Sequence, residues 1–423
     1  MDIVKIKDVR LSNLLTYAPL VLTATYVSYV ALTTYLKDML TYPCLSAYLL
    51  LTYSSEILTL LLAIAVILGA SLSGLYIDYM WKSDRGAKFL AILLLLSSIL
   101  FVMYVAITPY LSQSVVLLAN LVFWFVVGIL LGNILTSTSL FVRYRYSIVK
   151  RGTLVGTGIG LGTITHLILA ALGLDLTSIT LAAFALSVLS ATALLMYSKV
   201  ASEKTAAKAV NEGVSLYDAR ILMFLVPLYV FFLIHGLIIR SHILPYARIL
   251  IPNTLVNEVV LNLPLLLSIL AGIVMDSLGR KVVGIAGLIV LGITSVFMLT
   301  IYALIISPIE LSILSLIFGR LSAALIIPYV VVVSSELAPK KFAGKFLSIC
   351  YGTISAGILT GMVAPDLLKS FYLPTAIATM ILFTSVYILH VLPETLPPEY
   401  LRYREIVSYL KKAMKLTGKS RAS

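Results

Sequence analysis

Ionisable side chains embedded in apolar sequence are the residues of this chain best able to do chemistry. Arg320 lies 16 residues before Glu336, so a helix joining them places the guanidinium about 24 Å from that carboxylate. Glu258, 18 residues before Asp276, comes out at about 27 Å, close to the same depth. His235, some 14 residues into its own apolar block, sits at about 21 Å. A charge inside a bilayer costs several kcal/mol, which makes such residues functional candidates. A Glu, an Arg and a His at one depth can bind a polar substrate or pass a proton, and a static Glu258–Arg320 clamp between two helices uses the same pair. His166 matches His235 in depth and suits either a central cavity or a hydrogen bond between helices. Glu56 falls near the outer mouth and His390 beside an inner helix end, both at interfaces.

The elements that must position these groups follow from composition. Of 423 residues, 61% are hydrophobic and 12% charged, about half the charged share of a soluble domain. The apolar residues come in blocks near the 20 residues that span a bilayer as a helix. Runs such as Leu60 to Leu68 are continuously apolar, which excludes the alternating strands of a β-barrel. Twelve spans are expected, near 14–36, 54–77, 88–108, 115–139, 153–173, 176–197, 221–239, 255–275, 282–306, 311–334, 346–366 and 371–391. With the N-terminus inside, 26 of the 31 Lys and Arg residues fall on the inner side; Lys37, Arg240, Arg248 and Lys369 fall outside and Arg320 within a span. This positive-inside bias puts both termini in the cytoplasm and accounts for the formal charge of +13 without nucleic acid.

The polar stretch 198–220 separates six spans from six. The expected organisation is therefore a bundle over 1–197, a helical cytoplasmic linker over 198–220, a second bundle over 221–392 and a basic tail over 393–423. Cys44 and Cys350 lie on opposite sides and cannot pair. The charged first 13 residues lead straight into a full-length span with no small-residue cleavage site, unlike a removable signal peptide. A single glutamine and seven asparagines suit a hot environment, so the expected location is the cytoplasmic membrane of a thermophilic prokaryote. No HExxH, no phosphate-binding Walker loop and no metal-spaced Cys/His cluster occurs, and the four histidines are scattered. The expectation is a non-enzyme without cofactor or metal.

The halves repeat. Gly74-x-x-x-Asp78 ends the second span and Gly272-x-x-x-Asp276 the eighth, 198 residues later, the kind of duplication from which transporters build a central site. The second copy continues as AGIVMDSLGRKVVG and resembles the G-x-x-x-D-x-x-G-R-[RK] signature of the major facilitator superfamily at Gly272, Asp276, Gly279, Arg280 and Lys281. In the first copy the Asp-to-Gly spacing is 8 instead of 3, reaching Gly86, and Arg85 is a poor counterpart of Arg280. SSELAPKKFAGK, through Glu336, Pro339 and Gly344, and LPETLP, through Pro393, Glu394 and Thr395, are similar to motifs of the sugar-porter branch, with Ala343 where that branch has arginine. Of the matching first-half motif only Arg151-Gly152 survives.

The resemblance implies twelve helices in two bundles, alternating access, and an inner gating latch built on Gly74, Asp78, Gly272, Asp276, Gly279, Arg280, Lys281 and Glu336. It also implies a cavity lined by spans 1, 4, 7 and 10 with spans 2, 5, 8 and 11 beside them; the substrate-binding candidates are then Tyr26, Asn120, Trp124, His166, His235, Asn262 and Arg320, with Glu258, Arg320 and His235 the candidates for proton coupling or charge pairing. Tyr26 and Trp124 are candidate aromatic walls, since ring faces stack on a polyol while amides and hydroxyls pair its oxygens; tyrosines also anchor membrane interfaces. The first span carries no carboxylate, which leaves facilitated diffusion open beside proton symport. The expected partners are a small polar, sugar-like substrate, the lipid bilayer and protons, with the chain a monomer. The alternatives are an organic-anion or carboxylate transporter, in which Arg320 meets the anion, and a multidrug exporter of the same superfamily. Gly152, Gly156, Gly158, Gly160 and Gly162, like Gly357-x-x-x-Gly361, are expected at close helix packing.

Overall fold

In the computed structural model the described residues are 17–27, 29, 48–82, 85–107, 110, 113–172, 176–201, 219–241, 259–260, 262–303, 309–339, 342–397 and 400. They form helices and no strands. In chain order the helices are α1 (Tyr17–Val27), α2 (Tyr48–Lys82), α3 (Gly86–Ile107), α4 (Gln113–Arg145), α5 (Arg151–Ala171), α6 (Leu176–Ala201), α7 (Ala219–Arg240), α8 (Ser268–Leu278), α9 (Arg280–Ala303), α10 (Ile309–Leu337), α11 (Ala343–Leu368) and α12 (Tyr372–Val391). Among the described residues, nine helices are long and apolar enough to cross a membrane, and three apolar stretches, in α1, in α6 and at α8, are shorter.

The eighth span differs from its expected course. Residues Leu263–Leu267 form a 3-10 turn ahead of α8, with Pro264 at its start. Proline has no N–H to donate and crowds the preceding turn, so the α-helical backbone at 259–260 and 262 gives way to this turn and regular α-helix resumes at Ser268.

Each of the two halves has its own set of packed helix pairs. In the first, α2 runs along α4 and α3 along α6; in the second, α9 runs along α10 and α12, and α11 along α7. Glycine sets the closest approaches. Gly132 faces the Val66 and Ala70 backbone across α4 and α2, and Gly361 faces the Leu233 and Leu237 backbone across α11 and α7. With no hydrophobic gain for helices already in lipid, such backbone-to-backbone contact is the main source of association. Arg240 forks onto Asp366 at 2.9–3.2 Å, tying the outer ends of α7 and α11 together.

Between the halves the main seams are α2 against α11 and α5 against α8, with α4 and α5 also reaching α10 and α4 reaching α11. Gly152 and Gly272 stand backbone to backbone, and Gly156 meets Ser268. Thus Gly152, Gly156, Gly158 and Gly160 of α5 serve close packing, and part of that packing joins the two bundles.

Candidate functional site

The residues of the signature motif meet at the basic, inner ends of the helices. Asp276, 6% exposed at the end of α8, accepts hydrogen bonds at the start of α5 in the opposite bundle from Gly152 N at 3.0 Å and Thr153 N at 2.6 Å. A helix N-terminus has unpaired N–H groups and a positive dipole end, so a carboxylate is the natural group to seat there. Gly152 is required at this point, because a Cβ would stand 2.7 Å from the Gly272 carbonyl oxygen and 2.8 Å from the Asp276 carboxylate.

Arg280 ties the motif together. Its guanidinium, 1% exposed, reaches Asp276 at 2.5 Å, Glu336 at 3.2 Å and the Ile148 carbonyl of the first bundle at 2.5 Å. Gly279 precedes it with φ +115°, a conformation that side-chain-bearing residues rarely take, and this makes the α8–α9 turn. Glu394 then caps α9 by accepting from Arg280 N at 3.0 Å and Lys281 N at 3.1 Å, while Lys281 Nζ donates to the His390 carbonyl at the end of α12. Glu336, on α10, gathers Arg280, Arg151 at 3.7 Å and the Thr395 hydroxyl at 2.5 Å. Such a buried carboxylate is tolerated only because each oxygen has a partner.

One member of this cluster was read from the sequence only as a topology charge. Arg143, 8% exposed in the last turn of α4, donates to the Ser335 carbonyl of α10 at 2.6 Å and holds Arg151 through its own carbonyl at 2.7 Å. The signal available was the crowding of Arg143, Arg145, Lys150 and Arg151 into nine residues opposite a single motif carboxylate, Glu336.

The first-half copy is thinner. Asp78 Oδ1 accepts from Gly344 N at the start of α11 at 2.7 Å, the same carboxylate-on-helix-end contact, but its Oδ2 is buried without a hydrogen-bond partner. Arg85 is exposed. In the longer loop the Trp81 ring lies against Gly86 and packs on Phe141 and Tyr144, with ring centres 5.9 and 6.0 Å away, so aromatic packing stands where the second copy has an arginine.

The substrate candidates are distributed differently. Tyr26 is 1% exposed and its hydroxyl pairs with Ser97 of α3, inside the first bundle. His166 and Asn262 are buried, at 2% and 5% exposure. His235 on α7 places Nδ1 3.0 Å from the Phe231 carbonyl and its ring beside Phe231, with Nε2 buried near the Gly319 backbone but outside hydrogen-bond geometry. Arg320, next along α10, is half-buried and within electrostatic range of His235. Asn133 is bonded by the Tyr76 hydroxyl of α2. Glu258 and Asn257, and the side chains of Glu56, Asn120 and Trp124, lie outside the described residues. No group of three or more potential metal ligands occurs among the described residues.

Residues 259–410, which include the whole of this second-half latch from Gly272 to Thr395, match the family model of the Major Facilitator Superfamily. That match spans 152 of the 423 residues, all in the second half of the chain. Solved structures agree along its length. The proton:xylose symporter XylE bound to 6-bromo-6-deoxy-D-glucose aligns over 90% of this chain and 95% of its own, with 14% identity and a TM-score of 0.63. A bacterial homologue of the iron transporter ferroportin in an outward-facing state aligns over 89% and 98%, with 13% identity and a TM-score of 0.64. The partially occluded inward-open XylE from E. coli gives 0.57 at 14% identity, over 90% and 97%. At such identities the likeness concerns the fold alone, the twelve-helix major facilitator fold. No curated protein sequence matches the chain.

Proposed function

We propose that the protein carries a small polar, sugar-like metabolite across the cytoplasmic membrane by alternating access, as a secondary active or facilitative transporter. The observation that carries this reading is the inner closure itself. Asp276 on Gly152 and Thr153, Arg280 on Ile148, Arg151 on Glu336, Arg143 on Ser335 and Gly344 on Asp78 all join one bundle to the other at a single end. Contacts between helix ends can be exchanged for water as a unit, which is what a pair of bundles rocking about a midplane site needs. With these contacts made, the molecule is closed on the inside.

A sugar-like cargo is supported by the motifs shared with sugar porters and by the likeness to a xylose symporter. One observation favours a second reading, an organic anion: Arg320 and His235 stand within electrostatic range of each other on the two helices expected to line the cavity. Thermal stability of the purified protein against sugars, polyols, carboxylates, phosphates and lipophilic cations separates these, since a ligand that binds only the folded state stabilises by RT ln(1 + [L]/Kd). A melting temperature raised by neutral sugars supports the first reading, and one raised by anions alone replaces it with the second. Arg320→Ala is expected to abolish transport in proteoliposomes under either reading, with partial rescue by lysine only for an anion. Transport by Arg320→Ala at the parental rate contradicts both.

A further inference from the structure

Above the charged latch lies a cross-bundle contact that contains no charge. The hydroxyls of Ser139 on α4 and Tyr351 on α11 are 2.5 Å apart, with the residues 0% and 3% exposed. Ser139 is one turn, about 6 Å, toward the membrane centre from Arg143, and Tyr351 is seven residues, about 10 Å, from Gly344. The pair therefore stands over the latch, on the line between the mid-membrane region and the inner side.

Most hydroxyls elsewhere in the helices behave differently, the exceptions including Ser268, which donates across the bundle seam to the Gly156 carbonyl at 3.2 Å, and Ser322, which donates to Gly287 at 2.7 Å. Thr136, Thr163, Ser190, Ser348, Thr353 and Thr379 each donate to the carbonyl four residues back in their own helix. That local bond is the default for Ser and Thr in a helix. Ser139 instead directs its hydroxyl across the interface to Tyr351.

We propose that the Ser139–Tyr351 hydrogen bond is an uncharged inner gate, separate from the ionic latch, that must break for cargo to leave toward the inner side. This rests on the alternating-access reading above. A buried hydroxyl–hydroxyl bond adds modestly to the closed state, whereas leaving one hydroxyl buried alone costs the group its desolvation. Both hydroxyls regain water when the bundles part, so losing either one favours the open form.

Spin labels on cysteines at Lys88 and Val282, exposed residues at the inner ends of α3 and α9, report the opening by pulsed EPR in a variant lacking Cys44 and Cys350. Tyr351→Phe and Ser139→Ala are each expected to raise the ratio of inner-open to inner-closed molecules about 2- to 10-fold. The double variant should raise it no further than the larger single effect, and Ser139→Thr, which keeps the hydroxyl, should leave it near the parental ratio. Unchanged ratios in both single variants, or additive effects in the double, overturn the proposal. A single variant that loses its two-state distance distribution has misfolded, and Ser139→Thr against Ser139→Ala then decides. Because the readout is a distance, a failure to find transport leaves the gate testable, and a silent gate in a transporting protein removes only the gate.

Discussion

The two flanks of the inner closure use one idea and differ in how fully it is executed. On the α5/α8 flank Asp276 receives two backbone N–H groups and Arg280, and Arg280 passes on to Glu336, where Arg151 and Thr395 join. On the α2/α11 flank Asp78 receives one N–H, from Gly344, and its second oxygen is buried without a hydrogen bond. Hydroxyl and aromatic contacts fill the remainder: Ser139 on Tyr351, and Trp81 over Gly86 and beside Tyr144. The comparison teaches that a duplicated motif need not share the load. A carboxylate seated on a helix N-terminus needs further donors to hold two bundles firmly, and only the second copy has them.

The comparison can be broken most severely at the backbone. Gly272→Leu puts a Cβ against the Gly152 carbonyl and within 3.1 Å of Thr153 Cα, atoms that cannot move aside. The closed-inside state should be nearly lost, with the inner-end spin-label distances shifted to the open value throughout. Next comes Glu336→Gln, which leaves Arg151 and Arg280 without their shared carboxylate at side-chain exposures of 10% and 1%. Breaking a buried pair from one side costs about 3 kcal/mol, roughly a 100-fold shift toward the open form by the same measurement.

Much of the fold was legible because membrane helices announce themselves by long apolar blocks and by the side on which Lys and Arg fall. Gly272, Asp276, Gly279, Arg280 and Glu336 were legible through their resemblance to known motifs, and the structure supplies the reason for the pattern: a close backbone approach, a turn at positive φ and buried pairings at fixed spacing. Arg143 was hidden, since its partner is the carbonyl of Ser335, and backbone carbonyls leave no mark in a sequence. Ser139 was hidden among Thr136, Ser137 and Thr138, where only the packing says which hydroxyl turns across the interface. The 3-10 turn at Leu263–Leu267 was marked by Pro264, whose effect inside an apolar block depends on its neighbours. For the candidate cargo site, His235 and Arg320 could be matched in depth from the sequence but not in rotation about their helices.

The asymmetry of the two flanks is tested most directly by neutralising each motif aspartate in turn and measuring the inner-end distance distribution. In Asp276→Asn an amide N–H must face one of three donors, so the loss should be about 3 kcal/mol and the open distance should dominate. In Asp78→Asn the amide oxygen can still accept from Gly344, so the loss is about 1 kcal/mol or less and the closed distance should persist as the larger share. An Asp78→Asn protein that opens as far as Asp276→Asn, or further, contradicts the account.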